Sequence, residues 1–184
     1  MQGLIVAAGQ GTRLRDIAPS KPLAMLHGRP LIEHVIEQAR AGGVSDFVVV
    51  TGYQAAPLEA FLRRLSMRGG FPIRIVRNAD WRLANPLVDL DDVTRVRTNE
   101  TGAITAIGKL IEPYDAFDTG VFLASHALVT AIREDIAACG SGGISGGMTR
   151  LAAKGHAAVH DIGEAFWLDV DDAIAYAHAE RLCA

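Results

Sequence analysis

The sequence predicts an α/β fold of three layers (α/β/α), in which a mostly parallel, Rossmann-like sheet carries a β-hairpin insertion. Two observations favour this class. In the first half, short apolar runs alternate with segments whose apolar residues recur at helical spacing, as in βαβ units with helices on both faces of a sheet. In the second half, two segments of alternating polarity flank Asn99-Glu100-Thr101-Gly102, a pattern typical of a β-hairpin.

Three short apolar runs in the first half predict strands. Residues 4–7 form a continuous apolar run, the pattern of a strand buried on both faces of a parallel sheet. A helix is predicted from Pro30, a residue favoured at the first helical position, to the glycine pair at 42–43. The other elements predicted here are a strand at 47–50, a helix through 58–65 and a strand at 73–76.

The second half is predicted to mix strands and helices. The hairpin strands cover residues 94–97 and 103–107. Ser125 is predicted to cap a helix, and the glycine cluster at 140–147 is interpreted as a flexible loop. The remaining predictions are a strand at 121–123, a helix from Ser145 to Gly155, a strand near 157–160, and a last helix from about Asp171 with Ile174, Ala177 and Leu182 facing inward.

The composition fits one globular domain and excludes several classes of partner. The chain has 184 residues, of which 49% are hydrophobic, which suits a single domain over residues 1–184 with one sizeable core. A formal net charge of −3 provides no basic surface for nucleic acid. Because no apolar run is long enough for membrane insertion and Cys139 and Cys183 match no metal or redox spacing, we expect a cytoplasmic protein.

The most informative stretch is the glycine-containing loop that follows the first predicted strand. It reads Ala8-Gly9-Gln10-Gly11-Thr12-Arg13 and leads to Lys21-Pro22. Glycine lets backbone N–H groups approach phosphate oxygens, and Arg13 and Lys21 add two positive charges. This combination predicts a site that binds a triphosphate and neutralises the charge that builds on its leaving portion.

Two other phosphate-binding motifs are excluded by single positions. A dinucleotide-binding motif needs a third glycine where Leu14 stands and an acidic residue after the second strand, where Thr51-Gly52-Tyr53 is found. An NAD-dependent oxidoreductase is therefore disfavoured. A Walker-type loop needs Gly-Lys followed by Ser or Thr, and this tripeptide does not occur in the sequence.

The first 36 residues carry a resemblance to a known family. LIVAAGQGTRL and SKPLAMLHGRPLIEHVI resemble the start of sugar- and alcohol-phosphate nucleotidyltransferases, the MobA-like NTP transferases. The resemblance implies that the glycine loop, Arg13 and Lys21 hold the triphosphate, with Arg13 and Lys21 as catalytic residues. The nucleotide-binding residues that it implies are Ala7, Ala8, Gly9, Gly11, Thr12, Arg13 and Lys21.

Three stretches in the second half narrow the resemblance. They are AIGK at 106–109, YDAFDTGVF at 114–122 and FWLDVD at 166–171. They resemble the branch that includes inositol-1-phosphate cytidylyltransferases, which make CDP-inositol. The general layout is shared with bacterial phosphocholine cytidylyltransferases and several sugar enzymes.

These stretches contain the residues predicted to bind the acceptor. Lys109 is predicted to hold the acceptor phosphate, and a surface lysine after a strand is the alternative. Asp118 is predicted to bind polyol hydroxyls, with Thr119 and Gly120 shaping the pocket. A turn-forming or capping carboxylate is the alternative for Asp118.

Asp169 and Asp171 are predicted to bind Mg²⁺. On an extended strand two residues that are two positions apart point to one side, and Mg²⁺ is bound by one or two carboxylates with several waters. A helix-capping role for Asp171 is the alternative.

The sequence departs from the family pattern near Asn85 and Pro86, where a strand–helix–strand unit expected from the resemblance is missing. Such a unit takes about 30 residues or more. Its absence would remove a central strand and a principal metal-binding aspartate. Asp89, Asp91 or Asp92 are then candidate substitutes, and a solvated acidic turn is the more ordinary interpretation.

The resemblance implies an enzyme that transfers a nucleotidyl group from a triphosphate, preferably CTP, to a phosphorylated small alcohol, with Mg²⁺ as cofactor and pyrophosphate as product. Inositol 1-phosphate is the preferred acceptor, and phosphocholine or a sugar 1-phosphate are the alternatives. A degenerate relative that binds nucleotide without turnover is the alternative of another class. A functional link to a membrane enzyme that uses the CDP-alcohol and a homodimer are both compatible with the resemblance.

Overall fold

The computed structural model describes residues 1–81, 93–140 and 142–182. It divides into two compact units, the first made of residues 1–85 and 168–184 and the second of residues 86–167. The elements, in chain order, are β1 (Gln2–Ala7), β2 (Met25–Leu26), β3 (Arg29–Pro30), α1 (Leu31–Ala41), β4 (Asp46–Thr51), α2 (Ala55–Gly69), β5 (Ile73–Arg77), β6 (Arg95–Thr98), β7 (Ile104–Gly108), β8 (Ala116–Phe117), α3 (His126–Cys139), α4 (Ile144–Ala153) and α5 (Ala173–Leu182).

The first unit is built on a parallel sheet with the strand order β1-β4-β5. Its strands are rich in valine and isoleucine, whose branched side chains suit a pleated surface. Ala7, Thr51 and Arg77 are register partners, so the three strands end at the same height. The strands and helices predicted for the first half are confirmed, and so is the α/β class with a parallel sheet.

α1 and α2 pack against one face of this sheet. Phe47 and Val49 of β4 lie in one core cluster with apolar residues of both helices, because alternate residues of a strand share a face. The Phe47 ring meets that of Phe71 edge-on, with centroids 5.8 Å apart. The buried members of the cluster are Ile32, Ile36, Phe47, Val49, Leu58, Leu62, Leu65 and Phe71.

The prediction that residues 4–7 are buried on both faces is wrong. Leu4 is 66% exposed and Val6 is 63% exposed, whereas Ile5 packs against the core cluster. The physical reason is that α1 and α2 occupy the face that carries Ile5. Within the described ranges, moreover, β1 pairs with β4 alone, so one edge of the strand and the Leu4 and Val6 side chains lack such cover.

β2 and β3 form a short hairpin beside α5. Its turn residues, His27 and Gly28, have φ angles of 48° and 76°, as a two-residue type I′ turn requires. The Tyr176 hydroxyl of α5 donates a hydrogen bond to the Met25 carbonyl, and the Glu180 carboxylate accepts one from the His27 N–H at 3.3 Å. These bonds attach the C-terminal helix to the first unit.

The predicted inward face of the last helix is wrong. Ile174, Ala177 and Leu182 are all exposed, with Ile174 at 81%. The face that turns inward carries Tyr176 and Ala179 instead, which are three residues apart and therefore neighbours on the helix surface.

The second unit is built on an antiparallel sheet with the strand order β7-β6-β8. The predicted hairpin is confirmed as β6 and β7, and its turn is closed by the Asn99 side-chain oxygen, which accepts from the Ala103 N–H at 3.0 Å. On its other side β6 pairs with β8, so that Arg95 lies between Gly108 and Phe117.

α3 and α4 cover this sheet through a shared apolar cluster. The predicted cap of α3 is confirmed, since the Ser125 side chain accepts from the Ala127 N–H at 3.3 Å. α4 begins at Ile144, so Ser145 lies inside the helix and is not its cap.

The prediction that residues 140–147 form a flexible loop is wrong for the last four of them, because α4 includes Gly146 and Gly147. A side-chain carbon on Gly147 would lie 2.5 Å from the Ile132 side chain of α3. Glycine is unfavourable in an isolated helix, but here it permits two helices to approach closely.

Two further predicted strands are also absent from the described residues. Residues 121–123 form no strand, and Val121 and Leu123 are 81% and 91% exposed. The segment 157–160 makes only an isolated bridge between Ala158 and Ala103. An apolar run becomes a strand only where another strand pairs with it, and neither segment has such a ladder within the described part of the chain.

Candidate active site

The glycine loop leaves β1 at the carboxyl end of the parallel sheet, the edge at which open α/β sheets bind ligands. The loop contains two single 3₁₀ turns, Thr12–Leu14 and Lys21–Leu23. Leu14 is fully buried and anchors the first turn. The backbone of the first turn is therefore held in place while Thr12 remains exposed.

Gly11 brings the two parts of the loop together. Its φ of +57° is in the left-handed region that favours glycine, and a side-chain carbon there would lie 2.7 Å from the Lys21 Cβ. Lys21 thus packs directly over Gly11, which places its positive charge beside the glycine loop.

Replacing Gly11 by alanine is expected to weaken triphosphate binding about tenfold and to lower the free energy of unfolding by about 1–2 kcal/mol, since the backbone is strained and Lys21 must move. Calorimetric titration with CTP and urea unfolding measure the two effects. Gly28→Ala is the matched control, because Gly28 also has a positive φ but open space around it. It should lower stability and leave affinity unchanged. Equal affinities of wild type and Gly11→Ala would contradict this account.

The structure brings four predicted site residues together from opposite ends of the chain. The Arg13 Nη2 lies 2.9 Å from the Asp171 Oδ2, and the Lys21 Nζ lies 3.4 Å from the Asp169 Oδ1. Lys21 also forms an ion pair with Asp171. The side chains of Arg13, Lys21 and Asp171 are about one-third exposed, so a ligand from solvent can reach them.

The structure does not support the alternative in which Asp171 caps the last helix, α5. The carboxylate that caps α5 belongs to Asp172, which accepts from the Ala175 N–H at 2.8 Å. Asp171 points instead to Arg13 and Lys21. Both predicted metal-binding carboxylates therefore contact the same lysine.

This arrangement is suited to anionic phosphate oxygens and to a hard cation that accompanies them. A guanidinium and an ammonium provide charge-assisted hydrogen bonds to phosphate. Two carboxylates beside them are the oxygen ligands that Mg²⁺ prefers when it bridges a protein and a polyphosphate. In the structure, the two pairs of opposite charge neutralise each other.

The predicted acceptor-binding residues all belong to the second unit. Lys109 directly follows β7 and Asp118 directly follows β8, and both strands flank the start of β6. The two residues therefore lie at the same end of the sheet, about 10 Å apart if each strand spacing is taken as about 4.8 Å.

Asp118 is held in a turn by its own neighbours. Its carboxylate accepts from the Gly120 N–H at 2.7 Å, and its backbone N–H donates to the Thr94 carbonyl at 2.9 Å. The Thr119 carbonyl accepts from the Trp167 ring nitrogen at 3.1 Å. The turn-forming role of Asp118 is thus present, and its role in acceptor binding stays a prediction, as does that of Lys109.

Sequence reasoning missed an aromatic pair at the carboxyl edge of the parallel sheet. The rings of Tyr53 and Trp81 meet edge-on with centroids 5.1 Å apart, and the Arg15 guanidinium lies 5.9 Å from the Tyr53 ring centroid. Tyr53 follows β4 and Trp81 follows β5. Aromatic residues just after two adjacent predicted strands were the available signal.

A second missed feature is the buried carboxylate of Glu59 on α2. It accepts a hydrogen bond from the Thr51 hydroxyl at 3.0 Å and pairs with Arg77 at 2.9 Å and with Arg63 at 3.3 Å. The hydrogen bond from Arg77 lowers the pKa of Glu59 below its ordinary value, against the effect of burial, and Thr51 adds to the lowering. Glu59 thus ties α2 to the carboxyl ends of β4 and β5.

Replacing Glu59 by glutamine is expected to lower the free energy of unfolding by about 1–2 kcal/mol at neutral pH. Because the folded-state pKa is depressed, the contribution of the carboxylate is present above its unfolded pKa and is lost as pH falls through the folded one. Urea unfolding from about pH 7 to about pH 3 should therefore show the two proteins converging below about pH 4.5. A difference that is constant over this range would contradict the assignment.

Comparison with known proteins decides the family. Residues 3–106 match the family described as the MobA-like NTP transferase domain. The chain belongs to this family. The family resemblance and the predicted enzyme class, a nucleotidyltransferase, are thereby confirmed.

Two curated relatives of this NTP transferase have the same description, a bifunctional IPC transferase and DIPP synthase. The protein of Rubrobacter xylanophilus is 28% identical and that of Aquifex aeolicus 25% identical, each over 91% of this chain. Both alignments cover 48% of the relative, so the chain spans about half the length of these proteins. The Rubrobacter alignment runs over 218 residues, more than the 184 of this chain.

Solved structures show the same fold. The inositol-1-phosphate CTP transferase from T. maritima has a TM-score of 0.80 at 20% identity and covers 98% of this chain and 95% of its own. The CTP:phosphocholine cytidylyltransferase from Streptococcus pneumoniae has a TM-score of 0.72 at 18% identity, covering 100% of this chain and 99% of its own.

Two sequence predictions lie outside the described residues. They are the missing unit near Asn85 and Pro86, and the substitute carboxylates Asp89, Asp91 and Asp92. Among the helices that the structure does describe, none is both long enough and apolar enough to cross a membrane.

Proposed function

We propose that this NTP transferase moves a cytidylyl group from CTP to the phosphate of a phosphorylated small alcohol, with inositol 1-phosphate as the first choice, and releases pyrophosphate. The observation that carries the proposal is the meeting of Arg13 and Lys21 with Asp169 and Asp171 beside the glycine loop. The descriptions of the relatives, IPC transferase and CTP transferase, support the choice of base and acceptor.

The reaction needs little proton transfer from the protein. A phosphate monoester is largely dianionic at neutral pH, because its second pKa is about 6. One of its oxygens attacks the α-phosphorus of CTP, the bond from that phosphorus to the bridging oxygen breaks, and pyrophosphate leaves with the electron pair. Arg13 and Lys21 bind the β- and γ-phosphates and stabilise the charge that develops on them.

Asp169 and Asp171 are the residues that would hold Mg²⁺ in this site. A bound Mg²⁺ would supply positive charge to the phosphate oxygens of CTP. A triphosphate that binds Arg13 and Lys21 frees both carboxylates from their present ion pairs. Cation and nucleotide therefore support each other's binding.

In the second unit, we propose that Lys109 binds the acceptor phosphate and that Asp118, with Thr119 and Gly120, binds the acceptor hydroxyls. The support is their common position at one end of the three-stranded sheet. Lys109 would neutralise part of the negative charge of the acceptor phosphate.

A second candidate function is nucleotide binding without turnover. It is favoured by the Rubrobacter alignment, which is longer than the whole chain, because the relative then contains residues that this chain lacks. We propose that these residues belong to the strand–helix–strand unit expected between Asn85 and Pro86. Such a protein would keep the glycine loop that binds the triphosphate. It would lack the metal-binding aspartate expected in the missing unit.

The bifunctional description of the relatives also supports a proposal about the enzyme that uses the product. A relative of twice the length joins an IPC transferase to a DIPP synthase. We propose that a membrane enzyme consumes the CDP-alcohol made here and transfers its phosphoalcohol.

Pyrophosphate release with Mg²⁺, each of the four triphosphates and a panel of acceptors tests the proposal, together with calorimetric binding of the same triphosphates. Release with CTP and inositol 1-phosphate supports the first function. Release with phosphocholine or a sugar 1-phosphate moves the acceptor to that compound. Binding without release in any combination assigns the second function, and the absence of binding overturns both.

A further inference from the structure

We infer that Tyr53 and Trp81, with Arg15, form the wall of the subsite that takes the base of the nucleotide. The inference rests on the proposed function and adds the residues that distinguish a nucleoside triphosphate from a bare polyphosphate. All three residues belong to the first unit.

Tyr53 and Trp81 follow strands that end together at the carboxyl edge of the parallel sheet. Thr51 and Arg77 are register partners of Ala7 at the carboxyl ends of the three parallel strands. Tyr53 lies two residues beyond the end of β4, and Trp81 four residues beyond the end of β5. The aromatic pair therefore stands at the same edge of the sheet as the glycine loop.

The aromatic pair and its neighbours also contact the start of the glycine loop directly. The Tyr53 N–H donates a hydrogen bond to the Ala8 carbonyl at 3.0 Å. A side-chain carbon on Gly52 would lie 2.7 Å from the Trp81 Cβ and 2.8 Å from the Ala8 carbonyl oxygen. Glycine at position 52 thus allows Trp81 to pack within reach of Ala8, the residue immediately before Gly9.

The exposed surface of Tyr53, Trp81 and Arg15 has the chemistry that suits a nucleobase. Both rings are only half-buried, and a guanidinium lies over one of them. An aromatic ring stacks on any nucleobase, and an arginine side chain adds a cation–π contact or a hydrogen bond to a base carbonyl. A phosphate group gains nothing from an aromatic face. The pair therefore serves the base end of a ligand whose phosphates lie on the loop.

The second unit contains a matched pair for comparison. The rings of Tyr114 and Phe117 have centroids 5.2 Å apart, and the Arg95 guanidinium lies 4.8 Å from the Tyr114 centroid. These residues lie beside β6 and β8 in the second unit, whereas the glycine loop belongs to the first. Tyr114→Ala thus removes an aromatic ring of similar surroundings without touching the proposed subsite.

The test compares CTP with inorganic tripolyphosphate by calorimetric titration in Mg²⁺. In Trp81→Ala, the Kd for CTP should rise roughly tenfold to hundredfold, because base–aromatic stacking is lost. The Kd for tripolyphosphate should change less than about twofold. Trp81→Phe should restore most of the CTP affinity, and Tyr114→Ala should leave both ligands unaffected.

A fluorescence experiment gives an independent reading. The chain has two tryptophans, Trp81 and Trp167, so Trp167→Phe leaves a single reporter. CTP should quench its emission, and tripolyphosphate at saturation should not.

The outcomes separate the two proposals. Provided that tripolyphosphate binds the wild type, two results overturn the base subsite and leave the proposed function standing. One is that CTP binds the wild type no more tightly than tripolyphosphate does. The other is that Trp81→Ala weakens the binding of both ligands equally. Failure of both ligands to bind the wild type overturns the proposed function and the subsite together. Selective loss of CTP affinity in Trp81→Ala, with rescue by phenylalanine, establishes the subsite.

Discussion

Replacing Lys21 by alanine is expected to reduce pyrophosphate release from CTP at least about 100-fold, the usual cost of removing one preorganised charge from a reacting group. Lys21 packs over Gly11 and contacts both Asp169 and Asp171, so it joins the phosphate loop to the carboxylates. Its loss should also weaken CTP binding at least tenfold, because the triphosphate keeps only one of its two cationic partners. Initial rates and calorimetric titration measure the two effects.

The control for this variant is Arg64→Ala, which removes an equal charge from an exposed position on α2. This variant changes the net charge by the same amount as Lys21→Ala does. It should not alter the rate of pyrophosphate release or the affinity for CTP. If the wild type binds CTP without turnover, the affinity comparison alone decides the role of Lys21. Equal CTP affinity in Lys21→Ala and wild type would remove Lys21 from the binding site.

Replacing Phe47 by alanine is expected to lower the free energy of unfolding by about 3–5 kcal/mol. Phe47 is 1% exposed and lies at the centre of the cluster that joins β4 to α1 and α2, with its ring edge-on to Phe71. The loss includes the transfer of the ring, the cavity left behind and the aromatic contact. Since domains have about 5–15 kcal/mol of net stability, this change removes a large part of it and should lower the urea midpoint of the first unit.

Urea unfolding followed by circular dichroism measures this effect. The matched control is Phe117→Ala in the second unit, because Phe117 is 53% exposed. It should cost less than about 1 kcal/mol. A small effect at Phe47 would mean that the cluster does not hold the first unit together.

The parts of the fold that could be predicted depend on neighbours along the chain. Ser125 caps α3, Asn99 closes the hairpin turn, and the valine-rich run of β4 forms a central strand, and in each case the deciding residues lie within a few positions. The glycine loop was predicted for the same reason. Its meeting with Asp169 and Asp171, about 150 residues away, depends on how the chain folds and does not follow from the local pattern.

The parts that could not be predicted depend on distant partners. Leu4, Val6 and Leu123 have the apolar character of buried strand residues, but burial requires a neighbouring strand or helix, which the described chain does not place there. Gly147 is a poor helix former by propensity, and close packing against α3 overrides that preference. The aromatic pair of Tyr53 and Trp81 escaped notice because its residues lie 28 positions apart and meet only through the sheet.

Within the described part of the chain, one edge of β1 has no partner strand, and this has a consequence for how the protein behaves at high concentration. An edge strand offers unpaired N–H and C=O groups to any other extended chain, and natural proteins usually blunt such edges with charged residues, proline or a bulge. β1 reads Gln2-Gly3-Leu4-Ile5-Val6-Ala7 and has no charge, no proline and no bulge in its register with β4. With Leu4 and Val6 exposed beside it, we expect intermolecular sheet growth, and with it loss of solubility, to start at this strand.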